Sequence, residues 1–219
     1  MAERLRTMGH EAVVAPLLEI RFRDGPEISL DCIQAILATS ANGARAIARR
    51  THRRDVPFFA VGSQTAAAAN AQSFRVVRNA GGDAEALAAS IPKWATPDKG
   101  ALLLAAGAEA PKLLASQLTD SGFDVRRETL YEAIAVSELP TALEMYLRNG
   151  RLDAAIFMSP RSAQIFADLV AKAGLGASTE TLDAFCISAA CAKALSPLQF
   201  RNIRIADKPN QSAILQLVG

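Results

Sequence analysis

Five strand-to-helix turns carry most of the chemistry that this sequence can offer. They read ATSANGA (38–44), AVGSQTA (60–66), LLAAGAEAP (103–111), FMSPRSA (157–163) and CISAACA (186–192). Each passes from an apolar run through small or hydroxyl residues into a helical pattern. At a helix start up to four backbone N–H groups lack intrahelical acceptors, and the aligned peptide dipoles put partial positive charge there. Small residues let an anion approach those donors closely. Ser, Thr, Asn and Gly are also ordinary N-caps, so any one of these turns taken singly reads first as plain capping. Five together suggest sockets for a polyanionic small molecule. Tyr131, in the extended stretch LYEA, supplies a phenol that could donate a hydrogen bond or a proton to a leaving hydroxyl; otherwise it packs one face of a strand. Lys112 and Arg161 are expected in the first turns of their helices, where they could pair with carboxylates. The densest basic run, ARRTHRRD (48–55), falls about 15 Å down its helix from the turn at Ser40 and reads as a solvated helix end.

The elements that must position these groups alternate. Short apolar runs (11–18, 32–40, 58–62, 75–78, 100–107, 124–136, 154–159, 184–188 and 202–206) are separated by helical patterns, the order expected of parallel sheets with helices on their faces. Gly122, Gly150 and Gly174 stand where helices should end. The chain also repeats itself. LATSANGARAIA lines up with FMSPRSAQIFA, placing Ser40 over Ser159 and Asn42 over Arg161. FFAVGSQTAAAA lines up with AFCISAACAKAL, placing Gly62 over Ser188 and Thr65 over Cys191. Two matches in one order imply duplication, hence two similar lobes. The long extended segments at 13–22 and 124–136 suit a two-strand connection, with linker strands near 17–22 and 129–136. The first lobe is then discontinuous, 1–18 plus 136–219, and the second spans 22–130. Two lobes facing each other would gather the sockets around one cleft.

Composition excludes several classes. Twenty-four basic against 22 acidic residues leave no basic excess or stripe for nucleic acid. No apolar run approaches the 18 residues of a membrane span. The two histidines, His10 and His52, are too scattered for a metal site, and neither GxGxxG nor GxxxxGK[ST] occurs. Cys32, Cys186 and Cys191 form no CxxC pair and read as reduced thiols of a cytoplasmic protein, the latter two as core thiols rather than nucleophiles. With aromatics at 5% and alanine abundant, thin and closely packed layers are expected.

The ordered pieces MGHEAVVAPLLEI, ILATSANGARAIA, FAVGSQTAAA, AGGDAEALAASI, LLLAAGAEAPKLLASQLTDSGFDVRRETLYEA, AIFMSPRSAQIF, ISAACAKAL and ADKPNQSAILQLV cover nearly the whole chain and resemble the uroporphyrinogen-III synthase family of tetrapyrrole and heme biosynthesis. The resemblance implies two flavodoxin-like α/β lobes with parallel sheets, joined by a two-strand linker. It implies a monomeric, cofactor-independent lyase, with neither nucleic acid nor membrane as partner. Its substrate would be hydroxymethylbilane, a linear tetrapyrrole with eight carboxylates, closed with inversion of ring D through a spiro intermediate and loss of water. By motif match, Ser40, Gly62, Ser63, Thr65, Ser159, Ser162, Ser188 and Ala189 would contact carboxylates, and Tyr131 would assist departure of the hydroxyl. Three departures stand out. The family's opening strand of the first lobe, with its Thr-Arg-Pro-like turn, is not found, as if the start were truncated. Ser188-Ala189-Ala190-Cys191 stands where Gly-Pro-Thr-Thr is common. Glu109 lies near a position where arginine is common. The competing reading is a non-catalytic two-lobe binder of an anionic metabolite; a signalling lobe of the response-regulator kind lacks the clustered acids it would need.

Overall fold

The computed structural model describes residues 1–219. The chain opens with a short helix, α1 (Ala2–Thr7), and runs without regular structure to β1 (Leu18–Phe22). The extended readings of 11–18 and 13–22 therefore shorten to five residues. Pro16 has no N–H to give to a ladder, and the strand begins beyond it. Chain contacts divide the molecule into a split unit, Met1–Glu19 with Ala135–Gly219, and an inserted unit, Ile20–Ile134.

The inserted unit continues through β2 (Ile33–Ala38), α2 (Ala41–Arg50), β3 (Phe58–Ala60), α3 (Ser63–Ala71), β4 (Val77–Asn79), α4 (Ala84–Ser90), β5 (Ala101–Gly107), α5 (Leu113–Asp120) and β6 (Val125–Ala135). Apart from Gln34 at its start, IQAILA is apolar on both faces, as ALLLAAG is and as a parallel strand covered on both sides must be. The sheet order is β1-β6-β5-β2-β3-β4, with β2 through β6 parallel. β1 runs against β6, since Arg23 N–H donates to Leu130 O and Val136 N–H to Leu17 O. Alternate residues feed two cores. Ile36, Ala38, Phe58, Leu103 and Ala105 meet Ala44, Ile47, Ala68 and Ala69 of α2 and α3. Ala35, Leu37, Phe59, Leu102 and Leu104 meet Leu87, Leu114 and Leu118 of α4 and α5 on the other face. Burying each large side chain contributes on the order of 1.5–3 kcal/mol.

This is the doubly wound α/β class that was expected. Its internal order, outward from β2 to β3 and β4 on one side and to β5 and β6 on the other, refines the flavodoxin-like expectation toward the 3-2-1-4-5 arrangement. The winding reverses between β2 and β5. Alanine and glycine allow very close layers there: a Cβ on Gly43 would stand 2.7 Å from the Ala105 carbonyl oxygen and 3.1 Å from Ala38 Cβ. The N-terminal turn of α2 can rest on the sheet because residue 43 has no side chain.

The split unit resumes with α6 (Thr141–Arg148), β7 (Ala154–Phe157), α7 (Pro160–Lys172), β8 (Asp183–Cys186), α8 (Ala189–Ala194), β9 (Asn202–Ile205) and α9 (Gln211–Val218). Its three strands are parallel in the order β7-β8-β9. Leu143, Leu147, Phe166, Val170 and Cys191 cover one face with Phe157, Ala184 and Cys186. Ile214 and Ala213 of α9, with Met1, Ile156 and Ile187, form a smaller core. Cys186 and Cys191 are both fully buried. Burial first, and then the neighbouring Cys191, push the Cys186 thiol up to about 11. It stays protonated near neutrality and is no nucleophile.

Candidate functional site

Four helix starts share one backbone geometry. The N-caps Ser40, Gly62, Ser159 and Ser188 have φ/ψ of −152/158°, −156/178°, −155/146° and −158/163°. All are extended, as an N-cap must be for its side chain to reach back over the first turn. The alignment of Ser40 with Ser159 and of Gly62 with Ser188 thus corresponds to equivalent places in the fold. At the three serines the hydroxyl accepts from the third helical N–H, of Gly43, Ser162 and Cys191 respectively. Ordinary capping is therefore satisfied. In α2, α3 and α8 the first two amides have no intrahelical acceptor by position, whereas α7 opens with Pro160, which has no N–H to offer.

In the inserted unit the caps Ser40 and Gly62 border one open groove of about 940 Å³, together with Ala41, Asn42, Ser63, Gln64 and Thr65. Ser63 is exposed, whereas Thr65 is 3% exposed and contributes wall rather than an open hydroxyl. Thr65 and Cys191, equivalent in the repeat, are both buried. Arg45 is the one charged side chain lining the groove. Its Nη1 donates to Asn42 Oδ1 at 3.0 Å, which steadies the guanidinium and leaves other N–H donors for a ligand. The sequence reading passed over Arg45 for the denser run at 48–55. Its signal was local: it is the first cation below the Ser40 cap, three residues from an amide on the same helix face.

Tyr131, on β6, reaches over the end of β5 to the start of α2, where the sheet's winding reverses and ligands bind in open α/β sheets. Its hydroxyl is 2.7 Å from Ser40 Oγ, and either oxygen can be the donor. Residues 91 apart in sequence thus meet beside the free amides of Ala41 and Asn42. The ring, half-buried, packs against the core under α2 and α3 and lies directly over Gly107, where a Cβ would fall 2.8 Å from Cε2 and Cζ.

The third expected socket, LLAAGAEAP, differs from the others. β5 ends at Gly107 but α5 begins only at Leu113, with Lys112 as an N-cap that makes no side-chain capping bond. Lys112 is therefore outside the helix rather than in its first turn, and Gly107, at the start of this turn, lies under the Tyr131 ring. Arg161 is in the first turn of α7, as expected. The basic run is at the far end of α2 and is more than solvated. Arg50 donates to the carbonyls of Arg23 and Pro26. Arg54 donates to those of Ala48, Thr51 and Gln72. These arginines tie loops to the helix end, complementing its exposed carbonyls.

In the split unit Ser159 Oγ donates to Ser162 Oγ at 2.9 Å, and Ser188 Oγ lies 3.5 Å from Cys191 Sγ. These hydroxyls meet partners within their own first turns. Ala189 opens α8, a helix of six residues, so fewer aligned peptides stand behind its amide than behind those of α2 or α7.

The sequence matches the family model described as "Uroporphyrinogen-III synthase HemD" over residues 1–216. No curated protein matches it. Among solved structures, the uroporphyrinogen-III synthetase from Helicobacter pylori 26695 is similar at 19% identity and a TM-score of 0.64, with 95% of each chain covered. The Thermus thermophilus uroporphyrinogen III synthase matches at 17% identity and a TM-score of 0.40, over 98% of this chain and 91% of that one. At such identity the likeness is one of fold, and the Helicobacter structure carries it.

Proposed function

The chain belongs to the uroporphyrinogen-III synthase family, and from that premise we propose that it closes hydroxymethylbilane to uroporphyrinogen III, with Tyr131 as proton donor and helix N-termini as carboxylate sockets. The observation that carries this reading is the 2.7 Å pairing of Ser40 Oγ and Tyr131 Oη next to the free amides that open α2.

The chemistry asks little of side chains. A pyrrole nitrogen pushes its lone pair toward the hydroxymethyl carbon, the C–O bond breaks, and the phenol gives its proton so that water leaves. With Ser40 donating to Tyr131 Oη, the phenol proton is free to face the substrate, and the phenolate left behind keeps a hydrogen-bond donor. The azafulvene is attacked by the substituted carbon of ring D, giving the spiro intermediate. That intermediate opens and recloses with ring D inverted. The proton lost as the last pyrrole regains aromaticity returns to the phenolate, so atoms and charge balance. Expulsion of water makes the reaction a lyase reaction. The pyrrole push means that a weak acid suffices, and positioning supplies most of the acceleration.

Carboxylates of the substrate are matched in the inserted unit by Ser40, Gly62, Ser63, the base of the groove at Thr65, and Arg45. In the split unit the start of α8, with Ser188 and Ala189, offers the same type of donor, and the start of α7 matches a carboxylate through Ser159 and Ser162, since Pro160 has no N–H to give. The three free cysteines support a cytoplasmic location, and the self-contained pairing of Ser40 with Tyr131 in one chain supports a monomeric enzyme. The test is the isomer formed from freshly generated hydroxymethylbilane. The type III product is expected from the protein and is reduced in Tyr131→Phe. Type I alone, the spontaneous product, would overturn the reading.

A further inference from the structure

We propose that Gly107 is a positioning residue for this reaction: its missing side chain, together with a bulge in β6, is what allows Tyr131 to present its hydroxyl to Ser40. The inference rests on Tyr131 being the proton donor.

The pairing of β5 with β6 runs in step from Leu102 opposite Val125 to Ala106 opposite Thr129. It then slips, so that Gly107 lies opposite Tyr131 and Leu130 is the extra residue. In an unbroken strand, neighbours such as Leu130 and Tyr131 face opposite sides of the sheet. Here Leu130 is 1% exposed in the core under α2 and α3, and Tyr131 packs against that same core. A bulge re-aims a side chain in this way. The re-aimed ring occupies the space that a side chain at 107 would fill. A Cβ there would stand 2.8 Å from Cε2 and Cζ and 3.1 Å from Oη, well inside the roughly 3.5 Å of ordinary carbon contact. The backbone of Gly107 is not in the left-handed region. The ring, not the turn, requires glycine.

The turn has little freedom to retreat. Arg127 Nη2 donates to Gly107 O at 3.0 Å and to Ala110 O at 3.2 Å, and its Nη1 donates to Thr129 Oγ1 at 2.9 Å. Ala108 N–H donates to Tyr131 O at 2.8 Å. A methyl group at 107 therefore displaces the ring, and with it the hydroxyl that Ser40 meets. A misplacement of about 1 Å at a reacting group costs roughly 100-fold in rate.

The experiment combines kinetics with a spectroscopic probe of the ring. Gly107→Ala is expected to lower kcat for type III formation about 10- to 100-fold with KM nearly unchanged. In a Tyr131→Ala background, which has no ring to displace, the same change should leave the residual rate as it was. Losses that multiply in that background would overturn the inference, because a merely structural role adds to any other. The chain has two tyrosines, so ring-labelled tyrosine gives two sets of NMR signals, assigned with Tyr146→Phe. Gly107→Ala should move the Tyr131 signals and leave those of Tyr146; unmoved Tyr131 signals would overturn the inference. Should Gly107→Ala alone fail to fold, folding regained in Gly107→Ala/Tyr131→Ala supports the seat, and folding still lost overturns it. Signals that move while Tyr131→Phe keeps full activity would sink the proton-donor role, and with it Gly107's part in turnover, yet leave the seat itself standing.

Discussion

The cap pair Ser40 and Gly62 of the inserted unit and the cap pair Ser159 and Ser188 of the split unit have the same backbone and different chemistry. In both units an extended residue ends a parallel strand and opens a helix, and the serine hydroxyls accept from the third helical N–H. The difference is where each hydroxyl's other bond goes. Ser159 and Ser188 turn to side chains of their own first turns, Ser162 and Cys191. Ser40 meets Tyr131, delivered from a distant strand. Capping fixes a serine's position but uses only part of its hydrogen-bonding capacity, and what the remainder touches separates a structural turn from one able to share in chemistry.

The sharpest way to break that comparison is to remove the phenol hydroxyl. Tyr131→Phe should lower kcat for type III product by about 10²- to 10³-fold, the range of a lost general acid, with KM little changed. Ser162→Ala, the corresponding loss of a cap partner in the split unit, should alter kcat less than about threefold. Equal losses would mean that the two pairs do the same job.

Ser40→Ala and Ser159→Ala should each cost about 1 kcal/mol of stability in denaturant titrations, the usual worth of an N-cap side chain. Only Ser40→Ala should also slow turnover, by about 10-fold, through the neighbour lost to Tyr131. Equal turnover in the two variants would assign Ser40 to capping alone.

Arg45→Gln should raise KM about 10-fold, the scale of one charge-assisted hydrogen bond, while kcat and thermal stability hold. The salt dependence of KM should weaken with it, because one screened attraction to a carboxylate is gone. An unchanged KM would leave the groove to its backbone amides.

The smallest effect concerns acid, and there the units should behave alike. The Arg53 guanidinium, hydrogen-bonded to Asp55, and the Arg201 guanidinium beside Asp183 hold these carboxyls at about 2. The unfolded chain protonates them near 4. Between those values the unfolded state carries more protons, so stability is lost as pH falls from about 4 to about 2 and is fully present above that window. Asp55→Asn or Asp183→Asn should each flatten that slope slightly in pH-dependent melting, since both arginine partners are largely exposed to solvent.

Much of the scaffold was legible. Apolar runs with helical spacers gave parallel α/β structure because a strand covered on both faces must be apolar almost throughout, and IQAILA and ALLLAAG announce it. The repeat was legible because small and hydroxyl residues at caps reflect a local backbone need. The strand expected over 11–18 failed because composition does not show where Pro16 denies a ladder its donor. Arg45 escaped notice because one cation on a helix face is commonplace until a groove opens beside it.

Residue types and spacing alone therefore settled the class of fold, the family resemblance and the places of the caps, since these depend on local propensity and on which residues can be buried. Only the folded chain decided that Tyr131 reaches Ser40 across 91 residues, and that Gly107 is glycine for the sake of a ring. Both depend on strand register and on a single slipped pair between β5 and β6. Register is fixed by many distant contacts acting together, and no short stretch of sequence encodes it.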